Sequence, residues 1–168
     1  MNKSFTNRPA SIRDVNTLAL INMRAYAHRD NVQLPASPSS DEVEYFNRKL
    51  SDPKAWADVA LRGCEVAGFI LGYPRILEGS ESPDAEYISL LAVDPRFMGQ
   101  GAASYLMQLA VKRAQQVERE KIVLWTARDS NEHAQSVYKH LGFTLSGMDR
   151  DSDFGPQVEF HRQLINTE

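Results

Sequence analysis

The sequence predicts an α/β protein, a mixed β-sheet with helices on both faces. The hydrophobic pattern gives this fold class, and two further observations indicate a single globular domain. The hydrophobic pattern alternates along the chain between the 3.6-residue period of helices and the two-residue period of strands. Hydrophobic residues make up 42% and charged residues 24% of the 168 residues, which is ordinary for a globular protein. No repeat or low-complexity tract interrupts the chain, so we expect one domain spanning residues 1–168.

The composition argues against several classes of function. The formal net charge is −3 and the isoelectric point is about 5.8, so no overall positive field favours nucleic acid. Cys64 is the only cysteine, which leaves no internal disulfide and no cysteine-based metal cluster. No apolar run approaches the roughly 20 residues of a membrane span, and the N-terminal residues lack the apolar stretch of a secretory signal. We therefore expect a cytoplasmic protein with no metal and no nucleic-acid or membrane partner.

Two helices are expected near the start of the chain. Residues 11–27 begin with Ser11 and Asp14 in the spacing of a capping box, which satisfies the first free amides of a helix. A proline-punctuated loop follows, and residues 41–50 form the second helix, which Ser39 or Ser40 can cap. In the first helix the apolar residues recur at helical intervals, namely Ile12, Val15, Leu18, Ile21 and Ala25.

A run of strands is expected next. Residues 55–62 and 65–75 alternate as strands on either side of Arg62-Gly63-Cys64, which predicts a hairpin. Residues 76–85 are rich in turn-forming residues and predict a loop. Residues 86–93 form a further strand, whose continuous apolar end suggests burial on both faces.

The second half of the chain returns to alternating helices and strands. A helix follows two glycines, with an apolar stripe made of Ala102, Leu106, Leu109, Ala110, Ala114 and Val117. Residues 121–126 predict a buried strand, and residues 130–143 predict a capped helix that Gly142 ends. Residues 143–149 and 157–164 bracket a turn and predict a final hairpin.

Gly99 and Gly101 stand between a strand and a helix, which favours a phosphate group at the helix N-terminus. A nucleoside-triphosphate loop requires Lys and Ser or Thr directly after the second glycine, and neither is present. A dinucleotide fingerprint matches the spacing G-x-G-x-x-S, but its context does not fit. Such a unit usually begins its domain and has an acid at the end of the next strand, whereas here five elements precede the loop and Asp129 is the only late acid. A tight turn that binds nothing is the third interpretation.

The wider pattern resembles one known family. The segment LLAVDPRFMGQGAASYLMQLAV resembles the acetyl-CoA motif of the GNAT superfamily of N-acetyltransferases, with Arg96, Gly99, Gly101 and Ala102 in register. The resemblance extends from about residue 7 to residue 164. It includes NRPASIRD as a first strand leading into the first helix, and the strand GFILGY. It also includes LWTARDSNEHAQSVYKHLGF, in which an Asn opens a helix and a Tyr follows seven residues later.

The resemblance implies the fold and the reaction. The expected fold is the GNAT fold, a mostly antiparallel sheet splayed between strands 4 and 5. The expected enzyme is an N-acetyltransferase that moves the acetyl group of acetyl-CoA to a primary amine by direct attack in a ternary complex. The acceptor is a small-molecule or peptide amine, and a homodimer is compatible with the family. The alternative is a module of the same fold that binds acyl-CoA as a sensor or partner without turning it over.

The resemblance also implies a cofactor site. Amides at the start of the helix, exposed by the two glycines, would bind the pyrophosphate, and Arg96 would either add a cation or be solvated. The pantetheine arm would pair with the edge of the fourth strand, where the amide of Leu91 could also stabilise an oxyanion. Asn131 would contact the pantetheine or cap its helix. The expected cofactor-binding set is Leu91, Ala92, Val93, Arg96, Gly99, Gln100, Gly101, Ala102, Ala103, Ser104, Asn131 and Tyr138.

Tyr138 and Glu86 are the expected catalytic residues. Tyr138 occupies the family position that meets the departing thiolate, and a core tyrosine is its alternative. Glu86 lies near the position of the family's glutamate base, but Tyr87 could hold that register instead. Asp149, His161 and a water relay are the other candidates for taking the amine proton. Acceptor contacts are expected from the 150–156 turn and the first two helices, with Tyr26, His28, Asp30 and Tyr45.

Overall fold

The computed structural model describes residues 4–164; residues 1–3 and 165–168 of the predicted domain lie outside the described residues. The helices are α1 (Val15–Arg29), α2 (Ser40–Ser51), α3 (Ala102–Gln116) and α4 (Glu132–His140). The strands are β1 (Thr6–Pro9), β2 (Trp56–Arg62), β3 (Glu65–Arg75), β4 (Ala85–Val93), β5 (Lys121–Ala127), β6 (Thr144–Arg150) and β7 (Gln157–Gln163). The predicted order of helices and strands is therefore confirmed.

The strands form a mixed sheet in the order β1-β2-β3-β4-β5-β7-β6. Strands β1–β2, β2–β3, β5–β7 and β6–β7 pair antiparallel, whereas β4 and β5 are parallel. A parallel pair needs a crossover connection, and α3 supplies it between β4 and β5. This mixed sheet with helices around it confirms the predicted fold class.

The helix boundaries follow the capping residues. The Ser11 side chain accepts a hydrogen bond from the Arg13 amide, and Asp14 accepts one from the Ser11 amide at 2.8 Å, so the predicted capping box is present. It opens a short 3-10 turn that leads into α1. Ser39 is the N-cap of α2 and accepts from the Glu42 amide. Gly142 follows α4 with a φ of +87°, the left-handed conformation that ends helices at glycine.

Three expectations about burial are wrong. Ile12 is 55% exposed because it lies in the 3-10 turn that precedes α1. Val117 is 44% exposed because α3 ends at Gln116 and the chain leaves the helix in a turn. The apolar end of β4 is also less buried than its continuous hydrophobic pattern suggests. Residues 89–91 and 93 are only half-buried, and the parallel pairing covers the more fully buried half, Ala85–Ile88.

The chain divides into two compact units, whose boundaries fall within β3, β4 and α3. The first unit comprises residues 4–72 and 90–109, and its core joins α1, α2, β2 and β3. In that core Phe46 meets Phe69 edge to face, with ring centroids 5.3 Å apart. The second unit comprises residues 73–89 and 110–164. Its buried residues include Ile122, Leu124 and Phe160 of the sheet and Phe143, which follows α4.

Candidate active site

The connection from β4 to α3 begins with a buried acid. Asp94 is 2% exposed and caps the short 3-10 turn Pro95–Phe97, where its Oδ1 accepts a hydrogen bond from the Arg96 amide at 3.0 Å. The Asp94 amide donates to the Ala67 carbonyl of β3 at 2.8 Å. These bonds fix the point at which the chain leaves the sheet.

The two glycines then turn the chain into α3. Gly99 has a φ of +73° and Gly101 a φ of +88°, a backbone conformation that L side chains rarely adopt. Beyond its two neighbours in the chain, a Cβ atom at either position would have no other atom within 4 Å, so the space on the side-chain side of both glycines is open. The helical hydrogen bonding of α3 starts with the Tyr105 amide, which donates to the Gly101 carbonyl at 3.0 Å. The amides of Ala102, Ala103 and Ser104 precede it, at the end of the helix dipole that favours an anion.

Arg96 is held by acids of the protein. Its guanidinium donates to Asp94 at 3.2 Å and to Glu65 at 3.3 Å, while its side chain is 53% exposed. Gln100 in turn donates to the Arg96 carbonyl at 3.3 Å. Arg96 therefore stabilises the loop, a role that the sequence interpretation of a pyrophosphate-binding or solvated cation did not include.

Arg24 of α1 also reaches the Asp94 carboxylate, at 3.7 Å. Burial raises the pKa of Asp94, but hydrogen bonds from the Arg96 side chain and amide, with the charges of Arg24 and Arg96, more than offset it. The pKa of Asp94 therefore lies below its usual range. The ion pairs stabilise the fold only while Asp94 is charged.

Asp94→Asn is expected to reduce the free energy of unfolding by about 2–3 kcal/mol at neutral pH, because it removes charge-assisted hydrogen bonds in a buried position. A carboxylate whose pKa is lowered by folding contributes stability above the unfolded-state pKa of about 3.9, and loses it as pH falls through the lower folded value. The difference between wild type and variant in urea unfolding should therefore shrink below about pH 4. Asp129→Asn, at an exposed pair with Arg128, is the control. A difference that stays constant down to about pH 2 would contradict this role of Asp94.

The end of β4 lies close to β3 at a glycine. A Cβ on Gly68 would lie 2.6 Å from the Ala92 carbonyl oxygen and 3.2 Å from the Val93 α-carbon. Leu91 and Val93 are half-buried and Ala92 is buried. Gly68 therefore permits the close approach that sets the position of residues 91–93, the expected pantetheine segment.

Gly68→Ala should displace the end of β4. We expect a loss of about 1–3 kcal/mol in the free energy of unfolding, as for other overpacked positions. We also expect weaker acetyl-CoA binding in the folded fraction, because the shifted atoms belong to the segment that would pair with pantetheine. Urea unfolding and calorimetric titration measure the two effects separately. Wild-type stability and affinity together would show that β4 does not depend on this close approach.

The second unit carries the other expected cofactor residues. Asn131 precedes α4, but its side chain makes no capping hydrogen bond; its Nδ2 donates to Thr126 Oγ1 of β5 at 3.0 Å. Asn131 is thus the N-cap residue by position, but its side chain does not cap the helix and instead ties the start of α4 to β5. Tyr138 is half-buried, and its ring packs at 5.9 Å from Phe160 and 6.3 Å from Phe143.

The candidate bases lie in contrasting positions. Glu86 is 1% exposed and accepts a hydrogen bond from Arg119 Nε at 2.9 Å. Its cross-strand partner is Ile122. Because successive side chains of a strand point to opposite faces, Glu86 and Tyr87 lie on opposite faces of β4. Asp149 is exposed on β6. The Nδ1 atom of His161 is buried, with no hydrogen-bond partner among residues 4–164.

Two tyrosines of the first unit are among the residues expected to contact the acceptor. Tyr26 is 47% exposed, and the Arg29 guanidinium lies 4.7 Å from its ring centroid. Tyr45 packs edge to face on the core residue Phe46. In the described part of the chain, no cluster of three or more His, Cys, Asp or Glu side chains could hold a metal ion. No helix between residues 4 and 164 is long and apolar enough to span a membrane.

Sequence reasoning missed four residues around these sites. Asp94 and Arg24 make a contact across 70 positions of sequence, and so carry no local signal. Glu159 stands between Val158 and Phe160, where strand alternation alone suggests a solvent-facing position, yet it is 3% exposed. Gly68 did carry a signal, because glycine inside a strand often marks a close backbone approach.

Comparison with known proteins identifies relatives. The model of the Acetyltransferase (GNAT) family matches residues 21–143, more than two thirds of the chain. A search of curated proteins gives no match.

Solved structures of similar fold include the ribosomal-protein-S18-alanine N-acetyltransferase from Escherichia coli. Its TM-score is 0.74 at 18% identity, covering 98% of this chain and 97% of that chain. Ard1 from Thermoplasma volcanium has a TM-score of 0.70 at 22% identity, covering 96% and 99%. PaiA N-acetyltransferase from Thermoplasma acidophilum, in complex with coenzyme A, has a TM-score of 0.67 at 16% identity, covering 95% and 99%. At these identities the likeness shows the fold.

Proposed function

Because this chain belongs to the GNAT family of acetyltransferases, we propose that it transfers the acetyl group of acetyl-CoA to the primary amine of an acceptor. The observation that carries the proposal is the turn at Gly99 and Gly101, which is open on the side-chain side of both glycines and leads directly into the first amides of α3. The PaiA structure of the same fold holds coenzyme A. We further propose that the chain acts as a single catalytic domain in the cytoplasm.

The pyrophosphate of coenzyme A is the group that fits this turn. Amides at a helix N-terminus point outward and carry a partial positive charge, which suits a doubly charged anion. We propose that the amides of residues 99–104 bind the pyrophosphate and that Gln100, Ala103 and Ser104 line its binding site. Arg96 keeps the loop in shape through Asp94, and its exposed side chain can still approach a phosphate oxygen.

The pantetheine arm needs hydrogen-bond partners for its two amides. We propose that the backbone of Leu91, Ala92 and Val93 provides them, as an added strand would. The Leu91 amide would also donate to the oxyanion that forms during attack. Asn131 contributes by holding the start of α4 on β5 through Thr126, and its side-chain carbonyl is a further candidate acceptor.

Acetyl-CoA supplies a thioester whose carbonyl carbon forms the new C–N bond as its C–S bond breaks. We propose that Tyr138 donates a hydrogen bond to the sulfur as it leaves. A phenol has a pKa near 10 and a thiol one near 8.5, so complete proton transfer from Tyr138 is somewhat uphill. Stabilisation of the thiolate by a hydrogen bond is therefore its main contribution, and the thiol proton comes ultimately from the amine.

The attacking amine must lose a proton, since a lysine-like amine has a pKa near 10.4. Glu86 would have to part from Arg119 and reach out of a buried position to receive it. We therefore propose that water carries the proton away and that Glu86 secures the start of β4. Glu86→Gln should then lower stability, while the acetylation rate of the folded enzyme stays within severalfold of wild type.

Ligand-dependent thermal stability tests the proposed cofactor. Acetyl-CoA or free CoA at about 100 times its dissociation constant should add roughly 2.7 kcal/mol to the folded state. For a chain of this length the melting temperature then rises by several degrees. NAD and NADP should have no effect, which separates the proposal from a dinucleotide site. No shift with millimolar acetyl-CoA or CoA would remove the proposed function.

Release of CoA thiol in the presence of amines tests catalysis. Polyamines, amino acids, aminoglycosides and peptides with free N-termini form a suitable panel. Amine-dependent thiol release supports the transferase, whereas binding of acetyl-CoA with no release for any amine supports the sensor module instead.

A further inference from the structure

One face of the sheet in the second unit carries polar groups that the proposed mechanism does not use. Side chains alternate along β7, so Phe160 and Glu159 lie on opposite faces. Tyr138 and α4 cover the Phe160 face, where Phe160 is fully buried. The Glu159 face instead carries half-buried rings, namely those of Tyr87, Trp125 and His161. The pairing of β4 with β5 ends at Ile88 and Leu124, so the sheet is open beyond that point. A thioester in this opening would have its sulfur toward Tyr138 on the first face and its carbonyl carbon accessible to an amine on the second face.

A buried carboxylate on this face orients a partly exposed guanidinium. Arg75 Nη1 donates to Glu159 Oε2 at 3.0 Å, and the two side chains are 34% and 4% exposed. A guanidinium has five N–H donors in a rigid planar fork, and this bond fixes its direction. The buried Glu159 thus fixes one side of the fork, and the partly exposed Arg75 side chain has further N–H donors that a ligand can use.

A second guanidinium lies on the same face. Trp125 is the cross-strand partner of Glu159, and the Arg150 guanidinium lies 4.3 Å from the Trp125 ring centroid. Arg150 Nε also donates to Gln157 Oε1 at 2.7 Å. This face therefore carries two guanidinium groups, one paired with Glu159 and one stacked on the Trp125 ring. The two positions that would otherwise attract a cationic ligand are already occupied by arginines of the protein.

We propose that this face binds the acceptor and that Arg75 forms charge-assisted hydrogen bonds to a carboxylate of that acceptor. The substrate class is then a primary amine that carries a carboxylate near the amino group. Free α-amino acids provide such a carboxylate, as do peptides with an acidic residue next to the N-terminus. This inference rests on the proposed acetyl transfer. The exposed Asp151 and Asp153 of the β6–β7 turn point to a cationic acceptor instead, which is the outcome that opposes it.

Matched acceptors test the proposal with the wild-type enzyme. Each α-amino acid is compared with its own carboxamide, and each Asp- or Glu-containing dipeptide with its Asn or Gln counterpart. A charge-assisted bond to arginine predicts kcat/KM about 10- to 100-fold higher for the carboxylate member of at least one type of pair. A preference in the amino-acid pairs indicates a free α-amino acid as acceptor, whereas a preference in the dipeptide pairs indicates a peptide.

Substitutions then assign the preference to Arg75. Arg75→Gln should reduce the carboxylate preference to near unity with little change in the KM for acetyl-CoA, and Arg75→Lys should retain part of it. Arg119→Gln is the matched control, since it also breaks an Arg–Glu pair with a buried glutamate in the same unit, but on the other face. It should lower the melting temperature and leave the preference unchanged.

The outcomes separate this inference from the proposed function. Equal or better acetylation of carboxamides and polyamines by the wild type would overturn the carboxylate proposal while confirming the transferase. A preference that survives Arg75→Gln would also overturn it. If Arg75→Gln does not fold, the wild-type comparison and Arg75→Lys still decide. Failure to bind acetyl-CoA would instead remove the transferase itself.

Discussion

Gly101→Glu is expected to abolish tight binding of acetyl-CoA. Gly101 has a φ of +88° and open space where a side chain would begin, so the added carboxylate enters the volume assigned to the pyrophosphate. Two like charges about 4 Å apart repel by roughly 4 kcal/mol at the effective dielectric of a protein surface. We therefore predict at least about a 100-fold loss of affinity in calorimetric titration, since each 1.4 kcal/mol is about tenfold.

Gly79→Glu is the matched control for this substitution. Gly79 has a φ of +85°, and a Cβ atom added there would also have no other atom within 4 Å, so backbone strain and added charge are the same. Both variants should lose about 1–2 kcal/mol of stability from the left-handed conformation. Only Gly101→Glu should lose affinity. Unchanged affinity in a folded Gly101→Glu protein would mean that the pyrophosphate binds elsewhere.

Tyr138→Phe is expected to lower kcat by about 10- to 100-fold, the worth of a hydrogen bond to a charged group. The ring that packs on Phe143 and Phe160 is retained, so the protein should fold and its acetyl-CoA affinity should change little. Single-turnover measurement of thiol release reports the chemical step without interference from product release.

Tyr105→Phe removes a hydroxyl in the same way and serves as the control. The Tyr105 hydroxyl donates to Asn7 Oδ1 at 2.8 Å, so its loss is expected to affect stability rather than the chemical step. A wild-type single-turnover rate in Tyr138→Phe would return Tyr138 to a purely structural role.

Local structure was predictable because its causes are local. Ser11 and Asp14 lie three residues apart and form the capping box that their spacing indicates. Gly142 takes the left-handed conformation that ends α4. The glycines at 99 and 101 likewise adopt positive φ angles between β4 and α3, where the sequence pattern predicts a phosphate-binding turn.

Contacts between distant residues were not predictable in this way. The Arg75–Glu159 pair joins residues 84 positions apart. Strand alternation alone is equally consistent with a charged residue at position 159 that faces solvent. For the Asn131 side chain, the sequence was compatible with capping its helix or with contacts elsewhere. Its hydrogen bond is to Thr126 of β5, a contact that depends on how α4 packs on the sheet. Arg96 illustrates the same limit, because its partner Glu65 comes from β3, 31 residues earlier.

The most direct test of the proposed cofactor site is a crystal structure of the protein with bound acetyl-CoA. We predict that oxygens of the diphosphate lie about 3 Å from backbone nitrogens of residues 99–104, within hydrogen-bonding distance. A diphosphate bound at another part of the surface, with that turn filled by side chains of the protein, would contradict the proposal.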